Sequence, residues 1–177
     1  MNFLEKNLED IIYETDNKLL RDRGLPIEGK KVRQLKIGNY GVSDIITFKK
    51  PDYIPNKYRD LFEDELFIRP EITIYELKKD QIDRSTFFQA LRYMKGVKTY
   101  IERRGLFDRS FYDTYSETSL HEPLYKIFLI GKSIDTRDDF CFLPSLYEHI
   151  QLYTYEYNFD GVKFVNNDNY NLVDSGF

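Results

Sequence analysis

Residues that form cross-links, zinc sites and membrane spans are scarce in this chain. One cysteine, Cys141, occurs among 177 residues, so no internal disulfide can form, and a reducing, cytoplasmic setting is expected. The two histidines, His121 and His149, are far apart in sequence, and they make too small a set for a typical structural zinc site. No apolar run approaches the roughly 18 residues that a membrane-spanning helix needs. The first twelve residues mix charged and apolar side chains, which is not the pattern of a secretory signal.

The composition predicts a soluble globular domain, and its charge is unevenly distributed. Hydrophobic residues make up 41% and charged residues 32%, with a net charge of −4. Between residues 18 and 59, eleven Lys and Arg stand against four Asp and Glu, whereas residues 106–177 hold five against twelve. A protein with one basic side can bind a polyanion despite an acidic total. An uneven solvated surface explains the same pattern, so charge alone leaves DNA binding open.

Periodicity predicts a single α/β domain over residues 1–177. Apolar side chains recur at helical spacing over residues 3–22 and 84–104, which predicts two long helices. Residues 49–70 are polar with three prolines and are interpreted as an insertion, and a polar tail begins at about residue 167. The order α-β-β-β-α-β predicts a mixed central β-sheet flanked by helices. The remaining predicted elements are strands at 30–37, 40–48, 71–79, 124–131, 150–158 and 161–166, and a short helix near 144–149.

Three charged residues in the predicted strands indicate chemistry. Glu76 and Lys78 are two positions apart in the strand EITIYELKK, so both side chains point to the same face. Asp44 lies in the middle of the preceding apolar strand, where a carboxylate gains nothing from burial. Two converging carboxylates suit a hard cation such as Mg²⁺ or Mn²⁺. The spacing of Glu76 and Lys78 alone is common, and a surface ion pair on an edge strand explains it equally well.

The opening helix offers two further carboxylates. Glu5 and Glu9 both fall on the shoulder of its apolar stripe, at about 60° and 100° from the centre of that stripe. Either could reach a site at the edge of the sheet, and their spacing does not choose between them.

The second helix carries an amide and a tyrosine one turn apart, Gln89 and Tyr93. With Gly96 and Tyr100 they are predicted to lie roughly opposite the apolar stripe, on a surface able to approach a phosphate backbone or a base. Alternatively, the helix packs on two sides and its tyrosines belong to the core. The stripe itself comprises Phe87, Leu91, Met94 and Ile101.

These motifs together resemble the PD-(D/E)xK nuclease superfamily. GVSDII at 41–46 and YELKK at 75–79 match its motif order, and Gln89-Ala-Leu-Arg-Tyr93 is similar to the Gln-x-x-x-Tyr element of RecB-like nucleases. LEDIIYE at 8–14 and Val32-Arg33-Gln34 are closer to NucS-like endonucleases. The chain departs from the family name at Ser43, which stands where the family has proline.

The resemblance implies a restriction-endonuclease-like core and a Mg²⁺- or Mn²⁺-dependent DNA nuclease acting in repair, restriction or phage nucleic-acid processing, an endonuclease rather than an exonuclease. Asp44, Glu76 and the Leu77 backbone carbonyl would bind the metal, and Lys78 would assist the water. Glu9 would be the helix carboxylate, with Glu5 as the alternative. The residues expected to contact DNA are Lys31, Arg33, Lys36, Gln89 and Tyr93.

Two other functions stay open at this point, and so does the oligomeric state. The first is a catalytically silent nuclease-like fold that binds nucleic acid or serves in assembly. The second is an acidic interaction protein unrelated to DNA. A homodimer is compatible with the nuclease interpretation, since many such folds act as dimers.

Overall fold

The computed structural model describes residues 5–49, 70–104, 123–137, 142, 147 and 149–167. The predicted insertion, most of the short helix near 144–149 and the polar tail lie outside the described residues. No helix in the described ranges is long and apolar enough to cross a membrane.

The described elements contain the predicted order of an opening helix, three strands, a long helix and further strands. Their bounds are α1 Glu5–Glu14, α2 Asn17–Asp22, β1 Lys30–Lys36, a 3-10 turn Gly38–Tyr40, β2 Val42–Lys49, β3 Glu71–Leu77, β4 Gln81–Ile82, α3 Arg84–Arg104, β5 Leu124–Gly131, β6 Ser133–Ile134, β7 Ile150–Asn158 and β8 Gly161–Asn166.

Six strands form one mixed sheet in the order β1-β2-β3-β5-β7-β8. The neighbours β1–β2, β2–β3 and β7–β8 are antiparallel, whereas β3–β5 and β5–β7 are parallel. The prediction of a mixed central sheet flanked by helices is therefore confirmed. The hairpin of β7 and β8 turns at Gly161, whose φ of 109° favours glycine. A second, two-stranded sheet of β4 and β6 was not predicted, because strands of two residues carry no periodicity.

Helices cover both faces of the large sheet. On one face, α3 packs against alternate residues of β2 and β3 such as Ile46 and Ile74. On the other face, α1 and α2 pack against Ile45 and Tyr75. With helices on both faces, β3 is buried along almost its whole length.

The predicted opening helix at 3–22 is broken into two. Asp16 caps α2 by accepting a hydrogen bond from the Lys18 N–H at 2.8 Å, so the helix restarts there with a new phase. Leu19, expected in the apolar stripe, is 43% exposed, and Leu20 is buried instead. A single continuous helix was therefore the wrong prediction, because the capping side chain interrupts the periodicity.

Candidate active site

The facing ends of β2 and β3 bring Asp44 and Glu76 together. The last registered pair of this ladder is Ile45 with Tyr75, so the next step places Asp44 opposite Glu76. Opposite residues of an antiparallel pair share a face, and here that is the face covered by α3. The Asp44 Oδ2 accepts the Leu77 N–H at 2.8 Å. The Asp44 carboxylate therefore bonds to the backbone of β3 where the pairing of β2 with β3 ends.

Glu76 is a buried carboxylate with incomplete hydrogen bonding. It is 1% exposed, and its Oε1 accepts the Lys78 ammonium at 3.2 Å. Its Oε2 is buried and has no hydrogen-bond partner in the described part of the chain. Leaving such an oxygen unsatisfied is costly for the fold. The site is therefore short of positive charge or of hydrogen-bond donors.

The electrostatics of the three groups agree with that shortage. Burial raises the pKa of Glu76 to about 8; the Asp44 charge also raises it and Lys78 lowers it. Burial raises the pKa of Asp44 to about 6, against the hydrogen bond from Leu77 N–H, and the charge of Glu5 raises it too. Burial lowers the pKa of Lys78, but the carboxylates of Glu76, Glu5 and Asp44 together outweigh burial, and the net pKa is raised. The pair of carboxylates thus favours taking up a proton or a cation.

Both candidate carboxylates of α1 lie near this pair, in different roles. The Glu5 Oε2 accepts the Lys79 N–H at 3.1 Å, which ends β3 two residues earlier than predicted. The Glu5 charge acts on the pKa values of Asp44, Glu76 and Lys78. Glu9 accepts the Gln34 amide N–H at 2.7 Å and contributes to raising the pKa of Asp44. Of the two alternatives left open by the sequence, the geometry favours Glu5 as the closer carboxylate.

The donor set fits a hydrated hard cation. The described residues contain no group of three or more His, Cys, Asp and Glu side chains arranged to hold a metal ion. Mg²⁺ is commonly held by only one or two carboxylates, with water and substrate phosphate completing its octahedron. Asp44 and Glu76, with the unpartnered Glu76 Oε2, supply that smaller set.

Gln34 borders the site although sequence reasoning gave it no catalytic role. It lies between the pairs Arg33–Ile45 and Leu35–Ser43, hence opposite Asp44. Its φ is 51°, and among the described residues it is the one residue other than glycine whose φ is positive. A glutamine gives no sequence signal for this conformation, since its propensity does not favour it.

Two of the three basic residues predicted on β1 are partnered with α1. The Lys31 ammonium donates to the carbonyl oxygens of Ile12, at 2.9 Å, and Thr15, near the end of that helix. The Arg33 guanidinium donates to Asp10 at 2.8 Å and lies 4.8 Å from the centre of the Tyr13 ring. Lys36 is exposed. Lys31 and Arg33 therefore fasten α1 to the edge strand, a structural role that the sequence did not indicate.

The side of α3 that carries Gln89 and Tyr93 was predicted to be exposed, but part of it lies in the core. The Gln89 amide donates to the Tyr93 hydroxyl at 2.7 Å, but Tyr93 is 5% exposed and Gly96 is buried. The 3-10 turn Gly38–Tyr40 packs against this flank of α3, so the helix packs on two sides. The prediction of an open Tyr93 is corrected, whereas Tyr100 stays 55% exposed.

Comparison with known proteins adds no family. No family model, curated protein or solved structure matches the chain. A function must therefore be argued from the site itself.

Proposed function

We propose that this chain is a metal-dependent nuclease of the PD-(D/E)xK kind, with a restriction-endonuclease-like core, that hydrolyses DNA phosphodiester bonds with Mg²⁺ or Mn²⁺. The observation that carries the proposal is the buried pair Asp44 and Glu76, with one unpartnered Glu76 oxygen beside the Lys78 ammonium.

A second Glu–Lys pair, which joins β3 to the neighbouring strand β5, shows how unusual this arrangement is. Glu71, at the other end of β3, pairs with Lys126 at 2.7 Å, and both side chains keep access to solvent, at 20% and 29%. Glu76 instead is 1% exposed and faces a second carboxylate. An ordinary surface ion pair explains Glu71, but it does not explain a pair of buried acids.

The metal would be held by the carboxylates of Asp44 and Glu76 with the Leu77 carbonyl, and Glu5 would accept a hydrogen bond from a water at the site. Bound there, Mg²⁺ supplies Lewis acidity: it polarises a phosphoryl oxygen and lowers the pKa of water.

The residues of the chain would orient the reacting groups. Lys78 is half-buried and kept charged by Glu76, so its ammonium can orient the attacking water and offset negative charge that develops on the phosphate. The Leu77 N–H fixes the Asp44 carboxylate. Glu5 fixes the backbone just after Lys78 by accepting the Lys79 N–H, which limits the freedom of the lysine.

The test is cleavage of supercoiled plasmid and circular single-stranded DNA with Mg²⁺ or Mn²⁺. We expect cleavage by the wild type and a loss of about 100-fold or more in Glu76→Gln and in Lys78→Met, the size typical of a removed catalytic group. Glu71→Gln at the other end of β3 and Lys126→Met on β5 are the matched controls, and both should cleave normally.

Cleavage that survives both site substitutions would remove these residues from the mechanism. A folded wild type that binds DNA without cutting any form of it would instead favour the catalytically silent nucleic-acid-binding module. Circular substrates also separate the two modes of attack, because only an endonuclease can open them.

A further inference from the structure

The outward side of α3 carries positive charge with little negative charge between. Six residues of this helix are Lys or Arg, and one, Glu102, is acidic. At about 100° per residue, the exposed side chains of four cations and of Phe88 fall within roughly 100° of the helix circumference, and the exposed Glu102 falls in the same sector. We name this surface the basic face, and its members are Arg84, Phe88, Arg92, Lys95 and Arg103.

Two cations of the basic face, Lys95 and Arg103, keep their charge at the exposed surface. Lys95 and Arg103 are exposed and form no ion pair with any described residue. Arg92 donates from its Nε to the Tyr40 carbonyl oxygen at 2.9 Å, which steadies the guanidinium without neutralising it. The basic residues of β1 differ, since Lys31 and Arg33 are partnered with α1. Exposed positive charge remains on β1 at Lys30 and Lys36, but α3 carries the larger group of exposed cations.

An exposed aromatic ring lies among these cations. Phe88 is 59% exposed, one turn from Arg92 and two turns from Lys95. The centre of its ring lies 5.6 Å from the centre of the buried Phe87 ring, so the two rings pack against each other. A ring surrounded by cations is the usual platform for an unpaired base, because any base can stack on it while the cations hold the backbone.

The basic face begins near the carboxylates. The helix lies on the face of the sheet that holds Asp44 and Glu76. The chain passes from Lys78 at the end of β3 to Arg84 at the start of α3 within six residues, so the first turns of α3 lie at the same end of the sheet.

We propose that the basic face of α3 binds single-stranded nucleic acid and leads it to Asp44 and Glu76. Binding to this face stands on charge and exposure alone, while the delivery to the carboxylates rests on the function proposed above. The sequence predicts DNA contacts at Lys31, Arg33 and Lys36; we place the path of the strand along α3 instead, because Lys31 and Arg33 are partnered with α1.

The test is fluorescence anisotropy in EDTA, where cleavage cannot occur, with a labelled single strand of about 16 nucleotides and its matching duplex. Salt titration is run for the wild type, Lys95→Ala/Arg103→Ala, Phe88→Ala and the control Lys163→Ala, an exposed lysine on the distant strand β8. All four substituted side chains are exposed, and thermal unfolding checks that each variant is folded.

We expect the wild type to prefer the single strand. The double variant should lower the slope of log affinity against log salt by about 1.4, since each phosphate contact to a single strand contributes about 0.7. Phe88→Ala should weaken single-strand binding about fivefold or more while leaving duplex binding unchanged. Lys163→Ala should match the wild type.

Three results would overturn the proposal. The first is a double variant with the same salt slope as the wild type, and the second is a loss of DNA affinity in Lys163→Ala equal to that in the α3 variants. The third is a wild type that binds polyglutamate but not DNA. The outcomes also separate this proposal from the catalytic one. If the protein cleaves DNA and the α3 variants bind it normally, the basic face has no role and the nuclease proposal stands. If binding depends on α3 but no cleavage occurs, the binding proposal stands and the nuclease proposal fails.

Discussion

Gln34 has a left-handed backbone conformation in the middle of edge strand β1, with φ at 51°. A non-glycine residue held there costs on the order of 1 kcal/mol or more, and such strain persists where its surroundings fix it. The side chain of Gln34 is bonded to Glu9, and its backbone lies opposite Asp44. The strain therefore lies at the border of the carboxylate site, where it interrupts the pairing of β1 with β2.

Substitution at Gln34 measures the cost of that backbone conformation. Gln34→Val should be less stable than Gln34→Gly by about 1–2 kcal/mol, because a β-branched residue is strained at positive φ and glycine is not. The measurement is the free energy of unfolding in urea. Lys36→Val is the control, an exposed position of the same strand that should tolerate valine within about 0.5 kcal/mol. Equal stability of the valine and glycine variants at position 34 would contradict the strained conformation.

Helix α3 is placed by a close approach at Gly96. A Cβ added there would come 2.7 Å from the Tyr40 Cγ and also meet the Ile37 side chain. The glycine lets the 3-10 turn Gly38–Tyr40 lie directly on the helix, and Arg92 adds its bond to the Tyr40 carbonyl oxygen. This contact is what buries Tyr93 and closes the second side of α3.

Replacing Gly96 by alanine should destabilise the protein. In an exposed helix the same change stabilises by roughly 0.5–1 kcal/mol, because alanine favours the helix. Here we expect a loss of about 1–3 kcal/mol from overpacking against Tyr40 and Ile37. Urea unfolding gives the sign, with Lys95→Ala as a control on the exposed side of the same helix. A gain in stability from Gly96→Ala would show that the helix and the turn are not in close contact.

Element positions followed from the sequence where burial imposes a clear period. The helix at 84–104 and the strands at 124–131, 150–158 and 161–166 match α3, β5, β7 and β8. Apolar runs with turn residues between them leave few alternatives there. The sharing of one strand face by Glu76 and Lys78 also follows from spacing alone, because the side-chain period of a strand is two.

Other features needed the folded chain. The break at Asp16 depends on a capping bond, and the burial of Tyr93 depends on a turn that is more than 50 residues earlier in the sequence. The choice of Glu5 over Glu9 depends on where the first turn of α1 meets the end of β3. Local periodicity carries no information on such contacts, so they could not be predicted.

At the scale of the whole molecule, the two faces of the sheet hold different parts of the candidate site. The α1 side supplies Glu5 and the contacts that fix the ends of β1 and β3. The α3 side holds Asp44, Glu76 and the basic face. Buried carboxylates thus lie beneath a helix whose outward side is positively charged, an arrangement that suits a cation and a polyanionic substrate together.

The pH dependence of cation binding follows from the same buried acids. A cation binds their ionised forms, and burial raises the pKa of Glu76 to about 8 and that of Asp44 to about 6. Below pH 8 a proton on Glu76 therefore competes with the cation, and affinity should rise with pH, by up to about tenfold per pH unit for each proton displaced. Above pH 8 the dependence should level off, since both carboxylates are then ionised.

The most direct measurement of the central claim is calorimetric titration of Mn²⁺ into the DNA-free protein at pH 6, 7 and 8. The account predicts one site per chain whose affinity increases with pH, with protons released on binding. Glu76→Gln should abolish binding, and Glu71→Gln should leave it unchanged. A pH-independent affinity, or Mn²⁺ binding that persists in Glu76→Gln, would contradict the assignment of the buried carboxylates as a cation site.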